Sequence, residues 1–191
     1  MELQHVSVKV LVEGELNVPQ SRLIEVFHRW IRDSALDEML IDVADYRHVP
    51  AGPSVLLVGS DSDYCLDNRG NRYGLRYSRK SPLDGSNGDR ISQAFSSAAR
   101  ACLLLEDELA SEGPLRFSRR EFELVVNDRA LAPNSPETFE ACRQELEAAF
   151  ERLLGHRDFR LNHQSDPRCR FGVDVTVAQP CDLAAIAQAV A

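Results

Sequence analysis

The chain opens with an alternating pattern of apolar and polar positions. In the stretch VSVKVLV, Val6, Val8 and Val10 fall on one side of an extended chain, while Ser7 and Lys9 fall on the other. A period of two is typical of a strand that is buried on one face. The apolar spacing then becomes helical from about residue 19 to residue 33, with a proline in the first turn. The apolar positions of this predicted helix are Leu23, Ile24, Phe27, Trp30 and Ile31.

Strand patterns fill the next part of the chain. Two strands are predicted between Leu40 and Gly59, joined by a polar loop. The stretch DYCLDNRGNRYGLRYSRK predicts a hairpin that turns at residues 68–71, where Gly70 can adopt a positive φ. A second helix is predicted over residues 90–109, with Asp89 as its cap after the loop SPLDGSNGD.

The last third of the chain repeats this alternation. A strand is predicted around residues 115–127. Ser135 as N-cap and Pro136 at the first helical position then predict a third helix. Two more strands are predicted near residues 159–163 and 171–177, and a short alanine-rich helix follows them.

The order of these elements predicts an α+β fold of two layers, with helices on one face of a mixed or antiparallel sheet. We expect residues 1–191 to form a single domain. Residues 5–60 and 115–178 share the order β-α-β-β and a similar hydrophobic pattern, although few residues are identical. An internal duplication is therefore one interpretation, with a hairpin over residues 61–80 and a helix over residues 89–110 joining the two units.

The composition narrows the classes of function. A formal net charge of -8 disfavours nucleic acid or an anionic membrane as the main partner. No apolar run is long enough to span a bilayer, and the first residues lack the pattern of a secretory signal. The five cysteines are widely spaced and form no CxxC pair, which is typical of a reducing cytoplasm. Only two of the 22 basic residues, Lys9 and Lys80, are lysines, a bias that fits a bacterial protein from a GC-rich genome.

The loop DYRH holds the first candidate chemistry. Asp45 and His48 leave the end of a predicted strand, and an aspartate that orients a histidine is suited to acid–base catalysis. The alternative is a polar turn in which Asp45 bonds to nearby backbone amides.

A second loop, NHQSDPRCR, carries His163 and Asp166 with the same spacing in the opposite order. If a pseudo-twofold axis brings the two loops together, Asp45, His48, His163 and Asp166 could hold a metal ion or serve a hydrolytic step.

Arginines on strand and loop segments are the second candidate site. The residues expected to bind an anionic ligand are Arg72, Arg76, Tyr77, Arg168 and Arg170. Basic residues also protect exposed strand edges, so a structural role stays open.

No motif in the chain assigns a reaction or a cofactor. Neither a Walker loop, nor GxGxxG, nor GxSxG is present. The sequence favours a cytoplasmic protein that binds a small anionic molecule or a protein partner without catalysis. The alternative is a hydrolase-type or proton-transfer enzyme that uses Asp45 and His48, with metal assistance from His163 and Asp166. A homo-oligomer remains open.

Overall fold

The structure is a computed structural model that describes residues 1–49, 52–111, 113 and 115–189. Within these residues the chain forms eight strands and four helices. The strands are β1 (Val6–Val12), β2 (Leu40–Asp45), β3 (Pro53–Gly59), β4 (Ser62–Asp67), β5 (Gly74–Arg79), β6 (Phe117–Val126), β7 (Phe159–His163) and β8 (Phe171–Val177). The helices are α1 (Gln20–Asp33), α2 (Asn87–Glu108), α3 (Pro136–Leu154) and α4 (Leu183–Gln188). None of these helices combines the length and the apolar composition needed to cross a membrane.

All eight strands belong to one sheet, in the order β2-β3-β4-β5-β1-β6-β8-β7. Every neighbouring pair is antiparallel. The strands β1 and β6 lie side by side near the middle, while β2 and β7 form the two edges. The predicted hairpin is present as β4 and β5, and it lies between β3 and β1.

The helices cover one face of this sheet. In its central row, Val8 lies between Tyr77 of β5 and Leu124 of β6, and all three side chains are buried. Helix α2 packs across β1 and β5, α1 packs against β2 and β3, and α3 packs against β7. The predicted two-layer α+β architecture is thereby confirmed, with an antiparallel sheet.

The two halves of the chain share the order β-α-β-β but differ in their pairing. β6 pairs directly with β8, whereas the hairpin of β4 and β5 separates β1 from β3. Similar element order does not by itself indicate a common origin, so the internal duplication stays a prediction.

The two long helices begin with side-chain caps. Ser86 accepts a hydrogen bond from the Asp89 amide, and the Asp89 carboxylate accepts one from the Ser86 amide, which is a capping box. The predicted cap at Asp89 is therefore wrong, because Asp89 is the third residue of α2. Ser135 does cap α3, with Pro136 at the first helical position, as predicted.

Candidate functional site

The sheet face opposite the helices, here named the open face, carries a row of charged side chains at its centre. Antiparallel pairing places one residue of each strand next to the corresponding residue of its neighbour, and the central row changes from apolar side chains at the β2 edge to charged and polar side chains toward the β7 edge. Two cations and two carboxylates are adjacent in the middle of this row. The row runs Ala44, Leu56, Cys65, Arg76, Lys9, Glu123, Asp174 and Asn162.

Lys9 is the centre of a buried ion network on this face. Its side chain is only 2% exposed, and its ammonium nitrogen lies 3.2 Å from Asp67 Oδ2 and 3.9 Å from Glu123 Oε2. The same nitrogen donates a hydrogen bond of 3.1 Å to the Arg69 carbonyl. A buried ammonium needs such partners, because taking an unpaired charge out of water costs several kcal/mol.

Local backbone features make room for this network. A Cβ atom at Gly74 would lie 2.8 Å from two carbons of the Lys9 side chain, so only glycine lets that side chain lie across β5. The turn between β4 and β5 uses positive φ at Gly70 (70°) and Asn71 (59°). In this turn the Arg69 carbonyl lies within hydrogen-bonding distance of the Lys9 ammonium.

Asp67 lies between two cations. Its side chain is 1% exposed, and its second carboxylate oxygen is 3.1 Å from Arg76 Nη1. Arg76 is the cross-strand neighbour of Lys9. One buried carboxylate therefore lies within ion-pair distance of both cations, although Asp67 Oδ1 and Arg76 Nε make no hydrogen bond among the described residues.

Glu123 has a perturbed acidity. Burial raises the pKa of its carboxyl, the Lys9 ammonium opposes that rise, and the nearby carboxylates of Asp174 and Asp67 add to it. Negative charge at Glu123 is therefore disfavoured relative to an exposed glutamate.

Arg170 adds a further cation, from the segment that leads into β8. Its Nη1 donates to Asn127 Oδ1 at 3.0 Å. Burial lowers the pKa of the Arg170 guanidinium, and the positive charges of Arg69 and Arg76 lower it further. Arg170 thus lies close enough to both Arg69 and Arg76 to be repelled by their charges.

These three residues, Arg69, Arg76 and Arg170, are here named the basic cluster. Within the described part of the chain, no carboxylate lies within ion-pair distance of Arg69 or Arg170. Among these described residues, neither guanidinium group forms an ion pair of its own, although the Asp67 carboxylate partly offsets the positive charges around Arg170. A cluster with fewer carboxylates than guanidinium groups attracts an anion.

The remaining predicted ligand-binding residues have other surroundings. Arg72 forms an ion pair of 2.7 Å with Glu121, and Arg168 pairs with Asp166 at 2.8 Å. Tyr77 is completely buried on the helix face, where its hydroxyl bonds to Gln93. The prediction that Tyr77 contacts a ligand beside the arginines is wrong. Neighbouring residues of a strand point to opposite faces of the sheet, so Tyr77 faces the helices while Arg76 faces the open side.

The first candidate catalytic loop pairs its aspartate with an arginine. Arg47 donates from its backbone amide to Asp45 Oδ1 at 3.0 Å, and its guanidinium contacts both carboxylate oxygens at 2.8 and 2.6 Å. These bonds lower the pKa of Asp45 to about 2. His48 lies beside Tyr46, with ring centroids 6.4 Å apart. The Asp45 carboxylate is thus committed to Arg47 rather than oriented toward His48.

The second loop is closed in the same way. Arg168 makes the matching three hydrogen bonds to Asp166 and lowers the pKa of Asp166 to about 2. His163 stacks on Phe139, with centroids 5.5 Å apart, and its Nε2 lies 2.7 Å from Asn134 Oδ1. Because the Asn134 amide nitrogen donates to two backbone carbonyls, its oxygen faces the ring and Nε2 carries the proton.

The two loops do not meet. Asp45 ends β2 and His163 ends β7, and these strands are the opposite edges of the sheet, about 34 Å apart at the usual spacing of strands. The predicted metal site of Asp45, His48, His163 and Asp166 is therefore not assembled. Within the described residues, no group of three or more histidine, cysteine, aspartate or glutamate side chains is placed to hold a metal ion.

A cavity of about 770 Å³ lies at the start of α2, but its polar groups are already paired. Arg90 bonds to Glu2, Arg152 bonds to Asp89, and Asn87 bonds to Glu145. The charged side chains that line the cavity thus have internal partners, whereas Arg69 and Arg170 form no ion pair within the described part of the chain.

Sequence reasoning missed Lys9, Asp67 and Glu123 as site residues. Lys9 did carry a signal, because it is one of only two lysines and stands in the middle of a valine-rich strand. Asp67 and Glu123 carried none, since each is one acidic residue among 30 and only the strand order brings them to Lys9.

Comparisons with family models, with curated proteins and with solved structures give no match for this chain. Function must therefore be argued from the geometry alone.

Proposed function

We propose that this protein binds a small anionic molecule on the open face of its sheet, at the basic cluster. The observation that carries the proposal is the gathering of Arg69, Arg76 and Arg170 from two distant parts of the chain, with no carboxylate paired to Arg69 or Arg170. An anion placed there relieves the repulsion among the three guanidinium groups.

The chemistry of the cluster suits phosphate or carboxylate ligands. A guanidinium presents its donors in a planar fork that matches two oxygens of either group. Arg76 is held by the buried Asp67, so part of the site is positioned before a ligand arrives. Such positioning strengthens binding, because less side-chain freedom is lost when the complex forms.

Binding of inorganic phosphate and pyrophosphate tests the proposal. We expect both anions, but not chloride at the same ionic strength, to raise the thermal unfolding temperature, since a ligand that binds only the native state stabilises it. Isothermal titration calorimetry should give an affinity that falls at least about tenfold in Arg69→Gln and in Arg170→Gln, the loss expected for one charge-assisted contact.

Arg32→Gln is the matched control. Arg32 is exposed and pairs with Asp33 at the end of α1, so its removal should leave the affinity unchanged. Arg69 is itself exposed, which keeps the effect of Arg69→Gln on folding small. Equal affinities in the wild type, Arg69→Gln and Arg170→Gln would contradict the proposal, as would an absence of any anion-dependent stabilisation.

We also propose a cytoplasmic location. All five cysteines are free thiols, and Cys65, Cys102 and Cys142 are buried. Unpaired thiols support a reducing compartment. The enzyme alternative, with Asp45 and His48 as its acid–base pair, stays a prediction, and the ion pair of Asp45 with Arg47 gives it no support.

A further inference from the structure

The two edge strands of the sheet, β2 and β7, differ in the hydrogen bonding of their outward backbone amides. At the β2 edge, the Val43 amide donates to the side chain of its own neighbour, Asp42, at 2.8 Å. The Asp45 carboxylate occupies the next outward position and accepts from Arg47. Carboxylates along an edge repel another strand, so this edge is protected against pairing.

The β7 edge is not protected in this way. The amide of Gln164 bonds to the Gly172 carbonyl, and the carbonyl of Asp158 accepts from Ala178, so the even-numbered residues face β8. The odd-numbered residues, Phe159, Leu161 and His163, therefore direct their backbone groups outward. Among the described residues, the amides of Leu161 and His163 have no hydrogen-bond acceptor. Unpaired amides and carbonyls on an edge are a template for another strand.

The sequence of β7 is complementary to itself in an antiparallel arrangement. If Leu161 is placed on a twofold axis, it pairs with Leu161 of a second copy, and Phe159 pairs with His163 of that copy. The outward amides of Leu161 and His163 can then donate to the Leu161 and Phe159 carbonyls of the second copy, as a hydrogen-bonded antiparallel ladder requires. The Phe159 amide is already bonded to the Arg157 carbonyl of its own chain at 2.8 Å and adds no bond to this ladder. On the open face, Arg160 stands opposite Asn162 of the second copy, so no like charges are opposed.

The helix layer provides additional contact surface. A groove of about 360 Å³ runs between β7 and α3, and its flanks include Phe159, Leu161, Arg143 and Glu147. Arg143 and Glu147 are bonded to each other at 3.0 Å, so this flank carries both signs of charge. A five-residue strand alone buries too little area for a stable dimer, which needs about 800 Å² from each partner. A stable dimer therefore requires the flank of α3 to contribute the remaining area.

We propose that two copies of this chain form a dimer through antiparallel pairing of β7 with β7, centred on Leu161. The sheet then continues from one copy into the other. The basic cluster lies in the turn before β5, on β5 and just before β8, so it takes no part in this interface. Dimer formation is therefore independent of anion binding.

A charge substitution at residue 162 tests the pairing, with sedimentation velocity as the measurement. Asn162→Arg places an arginine opposite Arg160 twice across the proposed axis. The like charges should weaken the dimerisation affinity roughly fivefold or more. Asn162→Glu creates two arginine–glutamate pairs and should tighten the dimer. Within one chain, residue 162 stands opposite Asp174. Arginine therefore suits the fold better than glutamate there, and a folding defect would produce the reverse order of effects.

Proline substitutions provide a second test. Leu161→Pro removes an outward amide and should abolish the dimer, while an edge strand tolerates proline at such a position. Val43→Pro is the matched control, because it removes the corresponding outward amide of β2, and it should leave the dimer intact. Circular dichroism verifies that both variants are folded.

Two outcomes would overturn this proposal. A wild-type chain that stays monomeric up to submillimolar concentration does not form this pairing. The β7 edge would then be available only to an extended segment of a different protein. A wild-type dimer that survives both Leu161→Pro and Asn162→Arg uses another surface.

Discussion

Two Asp-x-Arg segments, Asp45 with Arg47 and Asp166 with Arg168, form closed electrostatic units of three residues. In each, the aspartate accepts the backbone amide of the arginine and both ends of its guanidinium fork. Both carboxyl groups have a pKa of about 2 for this reason. The aspartates therefore stay ionised at any physiological pH, and a histidine is not needed to balance them.

Arg47→Gln should raise the pKa of Asp45 from about 2 toward the ordinary value near 4. Because the pair lowers the pKa in the folded state, its contribution to stability is present above about pH 4 and is lost as the pH falls toward 2. Titration of the Asp45 carboxyl by NMR measures this shift. Arg168→Gln serves as the control and should move Asp166 while Asp45 is unchanged. An unaltered Asp45 pKa in Arg47→Gln would show that the arginine is not its cause.

These loops show the limit of sequence reasoning about single residues. The residue types and their spacing are visible in the sequence, and each loop carries an aspartate and a histidine three positions apart. This spacing suggests His48 as the partner of Asp45, although Arg47, two positions away, is closer along the turn and always charged. Spacing alone does not decide which of two nearby basic side chains a flexible carboxylate will bond to.

At the level of elements, the apolar periodicity predicted most of the strands and helices. The alternation in β1 and the Ser135-Pro136 start of α3 depend only on neighbouring residues, so they are visible in the sequence. The order of the strands is not, because it depends on pairings between distant segments. The insertion of β4 and β5 between β3 and β1 has no local signal.

Two glycines in strands face different obstacles on the open face. A Cβ at Gly74 would lie 2.7 Å from the Val10 carbonyl oxygen and 2.8 Å from the Lys9 side chain. A Cβ at Gly172 would be close only to the side chain of Gln164, with 2.5 Å to its amide oxygen. Backbone cannot move aside without breaking the ladder, whereas the end of a glutamine side chain can rotate.

Gly74→Ala should therefore destabilise the protein by roughly 2–3 kcal/mol, near the upper end for overpacking. Gly172→Ala should cost about 1 kcal/mol, because only the hydrogen bond from Gln164 to Asp174 is lost. Urea unfolding at neutral pH measures both values. A similar cost for the two variants would contradict the close approach of Lys9 to β5.

At the scale of the whole molecule, the sheet separates an apolar face from a charged one. The net charge of -8 describes the average surface and says little about the open face, where Arg76 and Arg170 come together. These arginines belong to opposite halves of the chain. Arg76 lies on β5 and Arg170 precedes β8, and two strands, β1 and β6, separate β5 from β8 in the sheet. Sequence reasoning identified both residues, but only the fold places them in one cluster.

The buried network of Lys9 and Asp67 links the two halves of the sheet, since Lys9 also approaches Glu123 on β6. Removing one partner of a buried pair leaves a charge without compensation, at a typical cost of 3–5 kcal/mol. Lys9→Met should cost about 3 kcal/mol, because Asp67 keeps Arg76 as a partner. Asp67→Asn should cost more, since two adjacent cations then lose the carboxylate between them.

The double variant Lys9→Met/Asp67→Asn should cost at least about 1 kcal/mol less than the sum of the two single variants, because both charges of the pair are then gone together. Free energies of unfolding from urea titrations at neutral pH complete the cycle. The other lysine gives the matched control, since Lys80 pairs with Asp63 at 2.7 Å where the two side chains are 39% and 23% exposed, against 2% and 1% for Lys9 and Asp67. Its cycle, Lys80→Met/Asp63→Asn, should have a coupling of no more than about 0.5 kcal/mol, as for other pairs that water screens. A coupling free energy in the Lys9 cycle as small as that in the Lys80 cycle would show that the buried ion pair does not stabilise the centre of the sheet. Arg76 would then be positioned by its own strand alone.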